Sequence, residues 1–170
     1  MEVLKICLLC TIAAIAYGIV HDQVTVRICV EYFSVFHPTI LPLSSPTLLA
    51  LQWGIVATWW IGAAFGVLLS IAARGGSRKP LNALDLRREI MSLLVCMSIA
   101  SLVAGAIGFV LTKHGFFDLD WIKTVLPPEK HAGFMADLWA HSASYLVGIV
   151  GGVIVCTQTY ISRSKSNPVG

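Results

Sequence analysis

The sequence predicts an all-α membrane protein: four transmembrane helices in an antiparallel bundle, with the first helix extended beyond the bilayer. Three observations predict it. The 170 residues are 56% hydrophobic and only 12% charged, whereas a soluble domain carries about 25% charged residues. Several apolar runs reach the ~20 residues needed to cross a ~30 Å hydrocarbon core. Proline and most of the charge cluster in short stretches between those runs. The whole chain reads as one integral membrane domain, residues 1–170, with helices at about 3–36, 47–73, 83–112 and 128–161. No basic run interleaved with aromatics suggests nucleic acid as a partner. The bilayer is the partner that composition implies.

The first apolar run is VLKICLLCTIAAIAYGIV, residues 3–20, with Lys5 near its start. Two readings compete. Ala14-Ile15-Ala16 has the A-x-A form of a signal-peptide cleavage site. The run also continues past Ala16 to Val20 and reaches spanning length, which favours a retained helix.

The next segment, residues 21–36, carries His21, Asp22, Gln23, Arg27 and Glu31 in an otherwise apolar chain. Its type is ambiguous. Val24, Val26, Ile28, Val30 and Tyr32 alternate with polar residues, a strand signal. Gln23, Arg27, Glu31 and Ser34 share one helical stripe. With no second strand to pair with, the segment reads as a continuation of helix 1, with Arg27 and Glu31 as an i,i+4 ion pair. Pro38 ends it, and Pro38, Pro42 and Pro46 stiffen residues 37–46.

Ser45-Pro46 reads as an N-cap followed by proline at the first helical position. Helix 2 follows to residue 73, with Trp53 near an interface, Trp59 and Trp60 deeper, and Gly62 and Gly66 as a G-x-x-x-G face. Residues 74–89 form a basic loop broken by Gly75, Gly76 and Pro80. Asn82 and Asp85 read as a cap with an acid in the first turn of helix 3. That helix has Ala100, Ala104 and Gly108 as its small-residue face. Residues 113–127 suggest a short interfacial segment. Pro127-Pro128 opens helix 4, whose small face is Ser144, Gly148 and Gly152. The tail SRSKSNPVG is polar and expected to be disordered.

The positive-inside rule orients the chain. With the N-terminus inside, eight basic residues are cytoplasmic and four are not. Both termini are then cytoplasmic, and a bacterial inner membrane is the simplest location. All five histidines then fall at the non-cytoplasmic side, with six of the nine acids.

Within that set, Asp137 and His141 are spaced D-x-x-x-H on one helix face. This spacing lets a carboxylate and an imidazole share a metal, or lets the carboxylate orient the imidazole. The candidate metal ligands are therefore His21, Asp22, Glu31, His131, Asp137 and His141, with Asp137 and His141 at the core. Nitrogen and oxygen donors suit a divalent transition metal such as zinc, iron or copper(II). The bland reading is a hydrogen-bonded pair that fixes helix packing. A b-type haem held by His21 and His141 is a further option. Cys7-x-x-Cys10 has redox spacing, but it lies in an apolar helix with no activating charge except Lys5, so the cysteines read as packing residues.

No nucleophile triad, P-loop or dinucleotide fingerprint is present. A transporter lacks support, because no inverted repeat or mid-membrane polar line appears. The rival to a metal site is a small non-enzymatic membrane subunit, packing against a membrane protein partner or as a homo-oligomer through Gly/Ala faces.

Two stretches carry a resemblance. HDQVTVRICVEYFSVFHP with SPTLLALQWGIVATWW, and His131 with the later run ADLWAHSASYLVG, resemble a group of bacterial multi-pass membrane proteins. The resemblance implies four membrane helices, from helix 1 through helix 4, and implies no activity or catalytic residue.

Overall fold

The computed structural model describes residues 1–165, and every regular element among them is helical. Helix α1 spans Glu2–Thr25, α2 Val30–Ser34, α3 Pro46–Val56, α4 Trp59–Arg74, α5 Arg87–Lys113, α6 Asp120–Lys123 and α7 His131–Lys165. Among the described residues, four stretches are long and apolar enough to cross a membrane: Glu2–Thr25, Pro46–Arg74, Ala83–Lys113 and Pro128–Arg163. The chain is thus a multi-pass membrane protein. Residues 162–165 continue the last helix and do not form the expected disordered tail, whose remainder, 166–170, lies outside the described residues.

The surface is inverted relative to a soluble fold. Leu8, Ile12, Leu68, Leu102, Leu146 and Val153 are exposed along the spans, while Asp22, Ser101, Asp137, His141 and Ser144 are buried. Apolar side chains on the outside suit lipid, and intramembrane polar groups belong in the bundle interior.

The first helix does not continue to residue 36. It ends at Thr25, whose carbonyl accepts both the Ile28 amide (2.9 Å) and the Cys29 amide (3.1 Å), and Cys29 is extended before α2 begins. The β-branched run Val24-Thr25-Val26 has low helix propensity. The break also turns Val26, Cys29, Tyr32 and Phe33 into a core with Leu49, Trp53, Ile122, Leu126 and Phe134. A straight helix would carry that apolar set beyond the bilayer. The expected Arg27–Glu31 pair is absent as a result. Arg27 donates to the Gln23 carbonyl, to Gln23 Oε1 (2.8 Å) and to Thr47 Oγ1 (3.2 Å), while Glu31 pairs with Lys130 at 3.0 Å.

The second span is offset once, at Ala57–Thr58, where Thr58 Oγ1 donates to the Gly54 carbonyl. Ser45 sits at the cap of α3 with Pro46 at the first helical position, but its side chain makes no capping bond. Asn82 and Asp85 do form a capping box, with the Asn82 amide 2.8 Å from Asp85 Oδ2, over the 3-10 turn Ala83–Leu86 that leads into α5. Trp53 is buried, and Trp59 and Trp60 face outward.

The spans pack as two close pairs. Against α1, Gly62 meets the Cys10 carbonyl and Gly66 meets Cys7 Cα, where an added Cβ would lie at 2.8 and 2.7 Å. Only glycine allows that approach. Along α5 and α7, Gly108 meets Met135, Gly105 meets Ala136, Met97 meets Gly148 and Leu93 meets Gly151.

Two apolar cores hold the ends together. The first surrounds Phe33, Trp53 and Phe134 at the end rich in histidine. The second surrounds Ile6, Leu69, Leu86 and Ile90 at the end of the basic loop. Arg163, 2% exposed, locks that loop by donating to the carbonyls of Ala72 (2.6 Å), Gly75 (3.1 Å), Arg78 (2.9 Å) and Lys79 (3.0 Å).

Candidate metal centre

His21 and Asp22 occupy the last turn and a half of α1, and the close packing of the spans brings His141 of α7 against them. One ligand atom from each of the three lies within 4.8 Å of the others. His141 Nε2 is 3.2 Å from Asp22 Oδ1. The His141 ring is further held by the Tyr32 ring at 4.6 Å, nearly parallel, and by the His21 ring at 4.5 Å, edge-on.

The protons on His141 follow from its other partner. Its Nδ1 is 2.8 Å from the Asp137 carbonyl. A carbonyl only accepts, so Nδ1 carries the hydrogen. In a neutral ring Nε2 then presents a lone pair, and that lone pair faces the Asp22 carboxylate. Two acceptors in contact require a positive charge between or upon them, either a proton or a metal ion. Zinc bonds of ~2.0–2.2 Å in a tetrahedron set neighbouring ligand atoms about 3.3 Å apart, close to the 3.2 Å between His141 Nε2 and Asp22 Oδ1.

His21 completes the group differently. Its Nδ1 is 3.3 Å from Ser101 Oγ, and its buried Nε2 has no hydrogen-bond partner among the described residues. Tyr17, one turn earlier, lies parallel to it at 5.7 Å and binds Ser144 Oγ at 2.6 Å.

The other three candidates stand elsewhere. Asp137 shares a face with His141, as its spacing implies, but its backbone, not its carboxylate, makes the contact. The carboxyl is fully buried and neither oxygen makes a hydrogen bond among the described residues. Glu31 is held by Lys130 (3.0 Å) and accepts the Cys29 thiol proton (3.4 Å). Partial burial opposes its charge, yet a backbone hydrogen bond and the Lys130 ammonium prevail and hold its carboxyl below the usual range. His131 donates from Nε2 to the Leu126 carbonyl at 2.9 Å and closes the loop before α7.

His37 is the residue that spacing did not single out as a ligand. Its Nδ1 donates to the Tyr32 carbonyl at 2.7 Å and its ring rests on Trp53 at 4.5 Å. It lines a cavity of about 940 Å³ together with His21, Asp22 and His141. A second cavity of about 610 Å³ reaches His21 and Ser101. His21 therefore stands between the two. The only sequence signal for His37 was its place among the histidines of one side.

Two further options are resolved by geometry. The edge-on contact of His21 and His141 at 4.5 Å leaves no room for a flat macrocycle between them, so this pair does not hold a haem. The cysteines are all free, and Cys7 faces Ser70 Oγ at 3.7 Å. Burial pushes the Cys29 thiol up to about 11, which makes it a poor nucleophile at neutral pH.

No protein-family model matches the chain, and no match to it was found among curated proteins or solved structures.

Proposed function

We propose that this integral membrane protein binds a divalent transition metal, zinc foremost, between His21, Asp22 and His141. The observation that carries the reading is the convergence of three donor atoms within 4.8 Å from helices far apart in sequence. The His141 lone pair directed at a carboxylate supports it, because that arrangement calls for a cation. Iron and copper(II) suit the same nitrogen and oxygen donors. Three protein ligands beside a cavity leave a coordination position for an exchangeable ligand, the pattern of reactive sites and not of closed structural ones.

The positive-inside count puts this end on the non-cytoplasmic side, with both termini cytoplasmic. A bacterial inner membrane is the simplest location for that orientation.

The rival reading, a subunit that docks on a partner through Gly/Ala faces, has less support. Gly54, Gly62, Gly66, Gly105 and Gly108 are spent on contacts inside the chain. The polar cluster is also left incomplete, with His21 Nε2 unpartnered among the described residues.

Thermal unfolding with added metal tests the proposal. A ligand at a hundred times its Kd stabilises by about 2.7 kcal/mol. Zinc should therefore raise the melting temperature of the wild type and leave Asp22→Asn unchanged. An equal shift in both would place the metal elsewhere.

A further inference from the structure

The larger cavity is more than an entrance to the histidine cluster. It runs along the junction between the α1–α4 pair and the α5–α7 pair, from His37 and Trp53 at one end to Gly75 and Tyr160 at the other. Along the second span, the rise from Trp53 to Gly75 is about 33 Å at 1.5 Å per residue, comparable to the ~30 Å hydrocarbon core. Its middle and far part are lined by apolar side chains such as Ala64, Leu68, Leu94, Met97 and Val153. Its hydrogen-bonding groups gather chiefly at the histidine end.

We infer that this groove binds a lipid-soluble quinone, with the ring at His37 and Tyr17 and the isoprenoid tail along the apolar length. Charge selects the class. The lining includes no lysine or arginine, and its one ionisable acid is Asp22. At the histidine end a phosphate head would find no lysine or arginine to pair with, whereas a neutral head needs none.

The chemistry at the head end selects further. Phe33 lies parallel to His37 at 5.9 Å, and His37 rests against Trp53 at 4.5 Å. These contacts fix the orientation of the His37 ring at the head end of the groove. With Nδ1–H committed to the Tyr32 carbonyl, His37 presents Nε2 as an acceptor for a quinol hydroxyl. The Tyr17–Ser144 contact uses one of two hydroxyl protons, so the second remains to donate to a quinone carbonyl.

The inference goes beyond the metal reading and is separable from it. It rests on His37, Tyr17 and the apolar length of the groove; His21, Asp22 and His141 also line the head end, but neither His37 nor Tyr17 is a proposed metal ligand. The test is saturable quenching of tryptophan fluorescence in the full-length protein in detergent, titrated with decyl-benzoquinone. Decylbenzene, which has the tail and a ring without oxygens, is the comparison. Binding should saturate with the quinone and be at least about tenfold weaker with decylbenzene, the scale of one or two lost hydrogen bonds.

Ala64→Phe, which fills the exposed wall of the groove, and His37→Ala should each weaken quinone binding by about tenfold while metal content stays as in the wild type. Leu68→Phe serves in place of Ala64→Phe if that variant does not fold. Equal affinity for both probes would mean that bulk lipid fills the groove. Unchanged binding in the folded variants would place the quinone elsewhere. A wild-type dimer that binds no quinone and is dispersed by Ala64→Phe would make a second copy the occupant. Any of these three results overturns the inference.

Discussion

His141 and Asp22, 119 residues apart in the chain, meet inside the bundle with Nε2 and Oδ1 separated by 3.2 Å. The Asp137 carbonyl fixes the His141 tautomer from the other side of the ring. A buried imidazole lone pair on a carboxylate is a cation-seeking arrangement whether the cation is a proton or a metal. That ambiguity gives the predictions their form.

Glu31 belongs to a different contact, although it is an acid at the same end of the bundle. Its folded-state pKa is depressed, chiefly against the cost of partial burial, by a backbone hydrogen bond and by Lys130. A depressed carboxyl contributes stability above its unfolded value, about 4.3, and that contribution is lost as pH falls through the folded value. Glu31→Gln should therefore cost about 1 kcal/mol or less at pH 7, in the range of an exposed pair, and show no deficit well below pH 4. It should not alter metal content. Thermal unfolding across pH, with metal analysis on the same samples, checks both statements.

Arg163 is a structural prediction of larger size. Its guanidinium reaches the Ala72 carbonyl near the end of α4 and three backbone carbonyls, of Gly75, Arg78 and Lys79, on the loop that joins the second and third spans. Arg163→Ala should destabilise by about 3 kcal/mol or more, since a hydrogen bond from a charged group contributes about 1.5–3 kcal/mol. Arg163→Lys should recover only part, because an ammonium lacks the planar fork. Limited trypsin cleavage after Arg78 reports it, since Pro80 protects the bond after Lys79: both variants should be cut faster than the wild type, alanine the faster of the two. Equal cleavage rates would show that the loop is held by its other contacts.

The four spans were legible because hydropathy and length speak directly to the bilayer. The break at Thr25 was not, because both patterns in residues 21–36 are genuine. The helical stripe describes α1 and α2 separately, and the β-branched run marks the turn between them. What decides is the core around Phe33 and Phe134, which joins residues from distant parts of the chain. Helical spacing put Asp137 and His141 on one face correctly. It could not say that the link between them would run through the Asp137 backbone. His37 was passed over for a related reason: its position depends on a proline-rich loop folding over Trp53, and no local pattern encodes that.

The central claim is that His21, Asp22 and His141 hold a metal, and elemental analysis of the detergent-purified protein tests it most directly. The wild type should carry about one metal ion per chain, as the zinc-site stoichiometry of a single tetrahedral centre requires. Asp22→Asn and His141→Ala should carry essentially none while staying folded. Asp137→Asn should keep its metal, because its carboxylate is not among the ligands. A wild type without metal after incubation with zinc, iron and copper would contradict the account. The Asp22–His141 contact would then be a proton-bridged pair that holds α1 to α7.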